Sequence, residues 1–288
     1  MNGNSPARSQ TGLIFLHIWK AGGSTLHDII ERQYPDDTIY SIDGSRYEAS
    51  MSEFKRLPEG DRAKLRVVKG HMDFGLHEYL PRPCTYITML REPLNRVISD
   101  YYYIMETPTH NFYEFMTARK MTLDEFASTP ESPLFDNVQT RVLSGLSWSV
   151  PYGECTDDML ELAKQNIETY FTVVGLTEQF DKTLILLQKE LGWRNIAYVK
   201  KNVTKTRAKK SDVPKETIDL IKQYNRLDVE LYRYAKERFE KQLDDRVPDI
   251  KRELDRLKVL NQLYKPYNFY QRAIGKVKSL VMGNSNEQ

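Results

Sequence analysis

Residues 13–26, LIFLHIWKAGGSTL, restrict the architecture more than any other part of the chain. The apolar residues Leu13, Ile14, Phe15, Leu16 and Ile18 predict a short buried strand, and Ser24 and Thr25 open a helix. Between them lies a turn carrying Lys20, Gly22 and Gly23. Such a junction builds a cradle for an anion. Glycines let the backbone approach, the free N–H groups and positive dipole end of the helix point at the ligand, and the lysine adds a full charge. A triphosphate loop of the type G-x-x-x-x-G-K-[ST] has its lysine after the last glycine, whereas Lys20 precedes both. A phosphate-like group is expected, with a triphosphate as the second choice. An ordinary strand-to-helix turn would carry the same glycines.

The remaining composition keeps any anion site local. The 288 residues carry a net charge of +2, which offers no global attraction to nucleic acid. Their 40% hydrophobic and 28% charged content is that of a soluble protein able to bury a substantial core. Cys84 and Cys155 have neither C-x-x-C spacing nor a metal-ligand neighbourhood, so reduced thiols and no metal are expected. No apolar run approaches the ~20 residues of a spanning helix. A cytoplasmic protein without a membrane anchor is the expectation.

Along the chain, residues 1–11 read as a disordered lead, 12–245 as one α/β domain and 246–288 as a C-terminal helix with a basic tail. Strands are predicted at 13–18, 38–41, 66–70, 85–90 and 171–175, where β-branched and apolar residues run together. Helices are predicted at 24–33, 51–57, 93–105, 123–127, 134–143, 157–170, 178–191 and 215–242, with a further apolar stripe of Ile250, Leu254, Leu257 and Leu260. This alternation implies a central, mainly parallel sheet flanked by helices. Ligands of such sheets bind at the carboxyl ends of strands. Lys20, His71 and Arg91 fall at those ends. The loop-rich stretch 107–153 suits a substrate-facing insertion, and its polar pair Gln139 and Arg141 are candidates to face an acceptor.

A second stretch, LREPLNRVISDYYY at 90–103, places Arg91 at a strand end and Ser99 about two turns into the next helix. A guanidinium fork and a hydroxyl converging there suit a second phosphate. Arg96 competes for that role but reads as a solvated helix arginine. His71, with an ordinary pKa near ~6.5, is suited to act as a base. His17 reads as a packed residue of the first strand, and His27, His77 and His110 have no motif around them.

Two phosphate sites on strand ends, neither of them a Walker loop, resemble the sulfotransferases that use 3′-phosphoadenosine 5′-phosphosulfate (PAPS). The likeness is to their carbohydrate-modifying branch, which includes heparan sulfate 2-O-sulfotransferase. FLHIWKAGGSTL resembles that family's 5′-phosphosulfate loop, and LREPLNRVISDYYY its 3′-phosphate motif. VVKGHMDFG, VVGLTEQFDKTLILLQKELGW and KKNVTKTRAKK extend the similarity in the same order, over roughly residues 13–239.

The resemblance implies a P-loop-like sulfotransferase fold. It implies PAPS as co-substrate, PAP as product and no metal. Lys20, Ala21, Gly22, Gly23, Ser24 and Thr25 would hold the 5′-phosphosulfate, and Arg91 and Ser99 the 3′-phosphate. Lys201, Thr204 and Arg207 of the basic loop would close over the nucleotide. Lys20 and His71 would be catalytic, with His71 also touching the acceptor, a hydroxyl of a carbohydrate or glycolipid. Trp19 and Ala21 depart from the proline and threonine usual at those positions. An ATP-dependent small-molecule kinase, or a non-catalytic nucleotide- or glycan-binding protein of the same fold, are the alternative readings.

Overall fold

The structure is a computed structural model that describes residues 11–132, 135–199 and 212–265. In chain order its elements are β1 (Gly12–Leu16), α1 (Gly23–Glu31), β2 (Ile39–Ile42), α2 (Tyr47–Arg56), α3 (Glu59–Arg62), β3 (Val67–Gly70), β4 (Cys84–Leu90), α4 (Pro93–Glu106), α5 (Tyr113–Ala118), α6 (Leu123–Ser128), α7 (Val138–Ser144), α8 (Asp157–Tyr170), β5 (Phe171–Leu176), α9 (Phe180–Leu191), α10 (Lys215–Tyr224) and α11 (Arg226–Arg246). A last helix, α12, covers 250–265.

The five strands form one parallel sheet in the order β2-β3-β1-β4-β5. All of β1 is buried, which is why its apolar run is continuous rather than alternating. Leaving β1, the chain turns toward β2 and β3, and after β4 it proceeds to β5 on the other side. The gap between β1 and β4 is therefore where successive connections diverge, the position at which open parallel sheets hold ligands. Lys20 follows β1, Arg91 follows β4 and His71 follows β3, so all three stand at the carboxyl edge.

The expected parallel sheet and its flanking helices are observed, with local differences. The helix expected at 51–57 begins at Tyr47, and the one expected at 134–143 begins at Val138. Neither α3 nor α5 is anticipated from the sequence. The 107–153 stretch is less loop-like than expected. Its helices α5 and α6 pack with α4 and α10 around a second apolar cluster containing Leu94, Ile98, Met116, Phe126, Phe135 and Ile221.

The helix expected at 215–242 is divided at Asn225, for a reason that lies across the fold. Asn225 is fully buried, and its Oδ1 accepts the backbone N–H of Asn137 at 3.1 Å. In return Asn137 Oδ1 accepts the N–H groups of Leu227 (3.0 Å) and Asp228 (3.2 Å) and caps α11. Asp228 caps α7 in turn, accepting Gln139 N–H (3.1 Å), Thr140 N–H (2.7 Å) and the Thr140 hydroxyl (2.9 Å). Two helix starts thus satisfy each other's free N–H groups inside the protein.

The helix α12 docks on the same core. Leu257 is buried in the main cluster with Ile250 and Leu254 against it, Lys189 pairs with Glu253 at 2.7 Å, and Tyr198 N–H donates to Asn261 at 2.8 Å. Among the described residues no helix is long and apolar enough to cross a membrane.

The reciprocal caps carry a stability prediction. Asp228→Ala strands three buried donors and should cost roughly 3 kcal/mol in urea unfolding, while Asp228→Asn, which keeps one acceptor, should cost about half of that. Equal and small losses would show that the clamp is dispensable.

Candidate active site

The turn after β1 has its carbonyl groups drawn away from the cleft. Thr88 Oγ1 donates to Leu16 O (2.7 Å), His71 Nδ1 to His17 O (2.8 Å), Arg91 Nη1 to Lys20 O (2.8 Å) and Thr177 Oγ1 to Ala21 O (2.7 Å). The partners come from β4, from the segments after β3 and β4, and from the segment after β5. An anion is repelled by carbonyl oxygens, so occupying them leaves the turn's N–H groups to define its character.

Helix α1 then starts with Gly22 in the left-handed region (φ 82°), no side-chain cap and no acidic residue in its first turn. Among the described residues, neither a capping side chain nor an acid in its own first turn neutralises its positive end. A side chain at Gly23 would run into the His17 ring, and one at Gly44 into the His71 ring, so both glycines are steric requirements of the site. Lys20 is itself left-handed (φ 62°), and the Arg91 bond to its carbonyl helps to hold that conformation.

The Lys20 ammonium lies 3.4 Å from the centre of the Tyr103 ring. Burial lowers its pKa to about 8, aided by Arg91 and opposed by Asp100 and Glu106. It is therefore charged at neutral pH yet weakly held as an ammonium.

His71 sits in a column of rings. Trp19 stacks on one face (centroids 4.5 Å, planes within 1°) and His17 on the other (4.3 Å, 23°), with Phe15 beyond His17 at 5.4 Å. Because a carbonyl only accepts, the 2.8 Å contact with His17 O assigns the proton to His71 Nδ1 and leaves the lone pair on Nε2. Burial in this stack lowers the His71 pKa to about 4, against the raising effects of the His17 carbonyl and Asp43. The ring is neutral near pH 7 with its basic nitrogen fixed.

Beside this column opens a cavity of about 490 Å³, with Trp19, Tyr47, Trp148, Arg46, Arg96 and Asp100 among its walls. Tyr47 and Trp148 rings stand 6.0 Å apart, and Trp148 is half exposed. Beneath Tyr47 lies Asp73, bonded by the Ser147 hydroxyl at 2.5 Å and raised by burial to about 6. Sequence reasoning missed Tyr47, Asp73 and Trp148. For Tyr47 and Trp148 the signal is an aromatic residue among polar neighbours, which by itself is common, and Asp73 carries none.

The structure corrects several expectations. Gln139 and Arg141 are wholly buried and do not face the cavity. Gln139 clamps the turn at Arg91, accepting its N–H at 2.9 Å and donating to its carbonyl at 3.0 Å. Arg141 is spent on Asp136 (2.7 Å) and on the carbonyls of Asp136, Val150 and Pro151, which tie down the insertion. Ala21 has no group left for a donor: its side chain is buried, its N–H goes to Ile18 O at 3.3 Å and its carbonyl takes Thr177. Arg96 is not solvated but buried, 3.5 Å from Asp100.

Gly22 and Ser24 are exposed in the cradle, and Gly23 and Thr25 are buried beside them. Ser99 is buried on α4. Lys201, Thr204 and Arg207 lie outside the described residues. Among those residues no group of three or more His, Cys, Asp or Glu side chains is arranged to hold a metal ion.

The sequence matches the galactose-3-O-sulfotransferase family over residues 2–272, nearly the whole chain. The chain belongs to that family. Membership makes it a carbohydrate O-sulfotransferase. Relatives include human heparan-sulfate 6-O-sulfotransferase 1, 30% identical over 85% of this chain and 68% of the relative. The Cricetulus griseus protein of the same name is 29% identical over 85% and 70%. A solved mouse sulfotransferase, SULT7A1 complexed with PAP, shows 15% identity over 88% of this chain and 89% of that one, with a TM-score of 0.34. The carbohydrate branch expected from the motifs is thus the right one, and the 6-O-sulfotransferases are relatives within it.

The neutral histidines imply acid sensitivity. His17, His27 and His71 are all held below their ordinary value in the folded state, chiefly by burial. Below about 6.5 the unfolded chain therefore binds protons that the folded chain refuses, and stability falls as pH drops from about 6.5 toward 4. The melting temperature should decline over that range, and less steeply in a His27→Gln variant. An unchanged slope would mean that the histidine stack is not the cause.

Proposed function

We propose that the chain transfers the sulfuryl group of PAPS to a sugar hydroxyl, with Lys20 and His71 as its catalytic residues. The observation that carries the reading is the Nδ1–H bond of His71 to the carbonyl of His17 in the cradle turn, which leaves Nε2 unprotonated on a ring stacked against Trp19, a wall of the aromatic cavity.

In this reading the 5′-phosphosulfate rests on the N–H groups at the start of α1, with Gly22, Gly23, Ser24 and Thr25 around it. Arg91 and Ser99 receive the 3′-phosphate, and Lys201, Thr204 and Arg207 belong to the segment that completes the nucleotide site. The acceptor sugar enters the cavity, whose Trp19, Tyr47 and Trp148 offer flat apolar faces with a polar handle. Its hydroxyl oxygen attacks sulfur while His71 Nε2 takes the proton. The bond from sulfur to the bridging oxygen breaks, and the charge left on the 5′-phosphate of PAP is met by Lys20 and the helix N-terminus. The fit is one of charge. Carbonyls turned away, an uncapped helix end and a lysine at its mouth are what an anionic leaving group requires.

The acceptor hydroxyl belongs to an oligosaccharide, a polysaccharide or a glycolipid. The galactose and heparan-sulfate names of the family and its relatives make β-galactosides and heparan-type oligosaccharides the first two acceptors to offer, with labelled PAPS. The free thiols of Cys84 and Cys155 fit a reducing, cytoplasmic setting, which fractionation of the source cells would check.

Three measurements test the assignment. Lys20→Ala and His71→Ala should each lower turnover on the order of 10²-fold or more, and near-wild-type rates would remove that residue from the chemistry. The kcat/KM for donor reports the free enzyme, so it should rise through about pH 4 as His71 deprotonates and fall through about pH 8 as Lys20 loses its charge. A lower limb near the ordinary histidine value would show that the base is elsewhere. Finally, calorimetry should show PAP binding without Mg²⁺ and tighter than ADP, with Arg91→Ala weakening PAP more than adenosine 5′-phosphate. Preference for ATP with Mg²⁺ would overturn the reading in favour of a kinase.

A further inference from the structure

A second histidine lies at the cradle and has no part in the chemistry above. His17 is joined to a chain of side chains running from the back of the sheet. Glu31 Oε1 accepts Lys69 Nζ at 2.7 Å, Lys69 Nζ reaches His27 Nδ1 at 3.2 Å, and His27 Nε2 lies 3.0 Å from His17 Nδ1. An ammonium only donates, so His27 Nδ1 is an acceptor and the proton of the neutral ring is on Nε2. That proton goes to His17 Nδ1, which must accept it. By the same logic His17 carries its own proton on Nε2. Burial, with the neighbouring titratable groups His71, His27, Lys20 and Lys69, holds His17 well below its usual value, so the ring stays neutral and this tautomer is the one present near pH 7.

The position of Nε2 is equally specific. Nε2 and Cδ2 are the ring atoms that a side chain at Gly23 would strike first, and Gly23 is the opening residue of α1. The donor edge of His17 therefore adjoins the first turn of the cradle. The ring is fixed there by stacking between Phe15 and His71 and by the His27 edge at 4.8 Å. A packing role alone needs neither a polarised relay nor a glycine where the ring edge meets the helix.

We propose that His17 is an additional ligand of the co-substrate, donating from Nε2–H to the anionic group at the 5′ position, and that Lys69 and His27 are positioning residues that impose the required tautomer. This rests on the donor reading above and assigns one more side chain to it. A neutral donor at this point gives the site a directional contact without a further positive charge beside Lys20 and His71, so it binds the 5′ group without lowering the pKa of the base.

The test uses the full chain and two nucleotides that differ only at the 5′ position, PAP and adenosine 3′-phosphate. His17→Phe keeps the stacked ring and removes the donor. It should weaken PAP about tenfold by calorimetry and leave adenosine 3′-phosphate unchanged. His27→Phe should weaken PAP by a smaller factor through loss of the tautomer. In wild-type protein with ¹⁵N-labelled histidine, long-range ¹H–¹⁵N spectra should show His17 protonated on Nε2 and that nitrogen shifting with PAP but not with adenosine 3′-phosphate. A proton on Nδ1, an equal loss for both nucleotides or an unchanged PAP affinity in His17→Phe would overturn the inference while the donor reading stands. Failure of the wild-type protein to bind PAP would overturn both, and the spectra decide the matter should His17→Phe fail to fold.

Discussion

The site depends on what happens to the carbonyl groups at the end of β1. A strand that stops at the carboxyl edge of a parallel sheet exposes both donors and acceptors, and an anion tolerates only the donors. Here the oxygens of Leu16, His17, Lys20 and Ala21 are each taken by a side chain from a different neighbouring segment. Three effects follow from those four bonds. The turn acquires a positive character, Lys20 is held in a left-handed conformation that a lysine seldom adopts, and His71 receives its tautomer. The sheet order brings this about, since β3, β4 and β5 deliver His71, Arg91 and Thr177 to the β1 turn.

This arrangement opposes stability in identifiable places. Three histidines are kept neutral where water would let them titrate, and Lys20 has part of its hydration replaced by an aromatic face. The compensation lies outside the cleft. The caps exchanged by Asn137, Asn225 and Asp228, and the Arg141 guanidinium bound to Asp136 and loop carbonyls, lock the insertion to the helices behind it. Gln139 extends from that locked region to the backbone of Arg91 and so connects the rigid part of the fold to the turn after β4. A poorly hydrated cleft is thus supported by polar groups that are paired behind it.

The difference between what could and could not be read in advance has one physical origin. Strand ends, glycines before a helix and the lysine in their midst are neighbours in sequence, so the strand–turn–helix junction at Lys20, Gly22 and Gly23 was legible. The place of His71 and Arg91 at the carboxyl edge was legible because each directly follows an apolar strand, and strand ends of a parallel sheet share one edge. Gln139 and Arg141 were misjudged because a polar residue on a helix looks the same whether it meets water, a substrate or a buried carbonyl. Arg96 failed in the opposite direction, being expected in solvent and found inside. His17 read as packing, which is half of the observation. Its ring is packed, and only the spatial approach of His27, Lys69 and Gly23 reveals the direction of its proton.

By itself the amino-acid sequence determined the strand and helix alternation, the parallel sheet, the glycine turn from β1 into α1 and the family, because each of these is written in contiguous residues or in the order of motifs along the chain. The tertiary structure alone decided the break at Asn225, the duties of Gln139 and Arg141, the ring column around His71 and the aromatic cavity beside it. Those features arise from partners far apart in sequence, and a hydrogen bond's direction or a ring's stacking partner exists only once the chain has brought the two groups together.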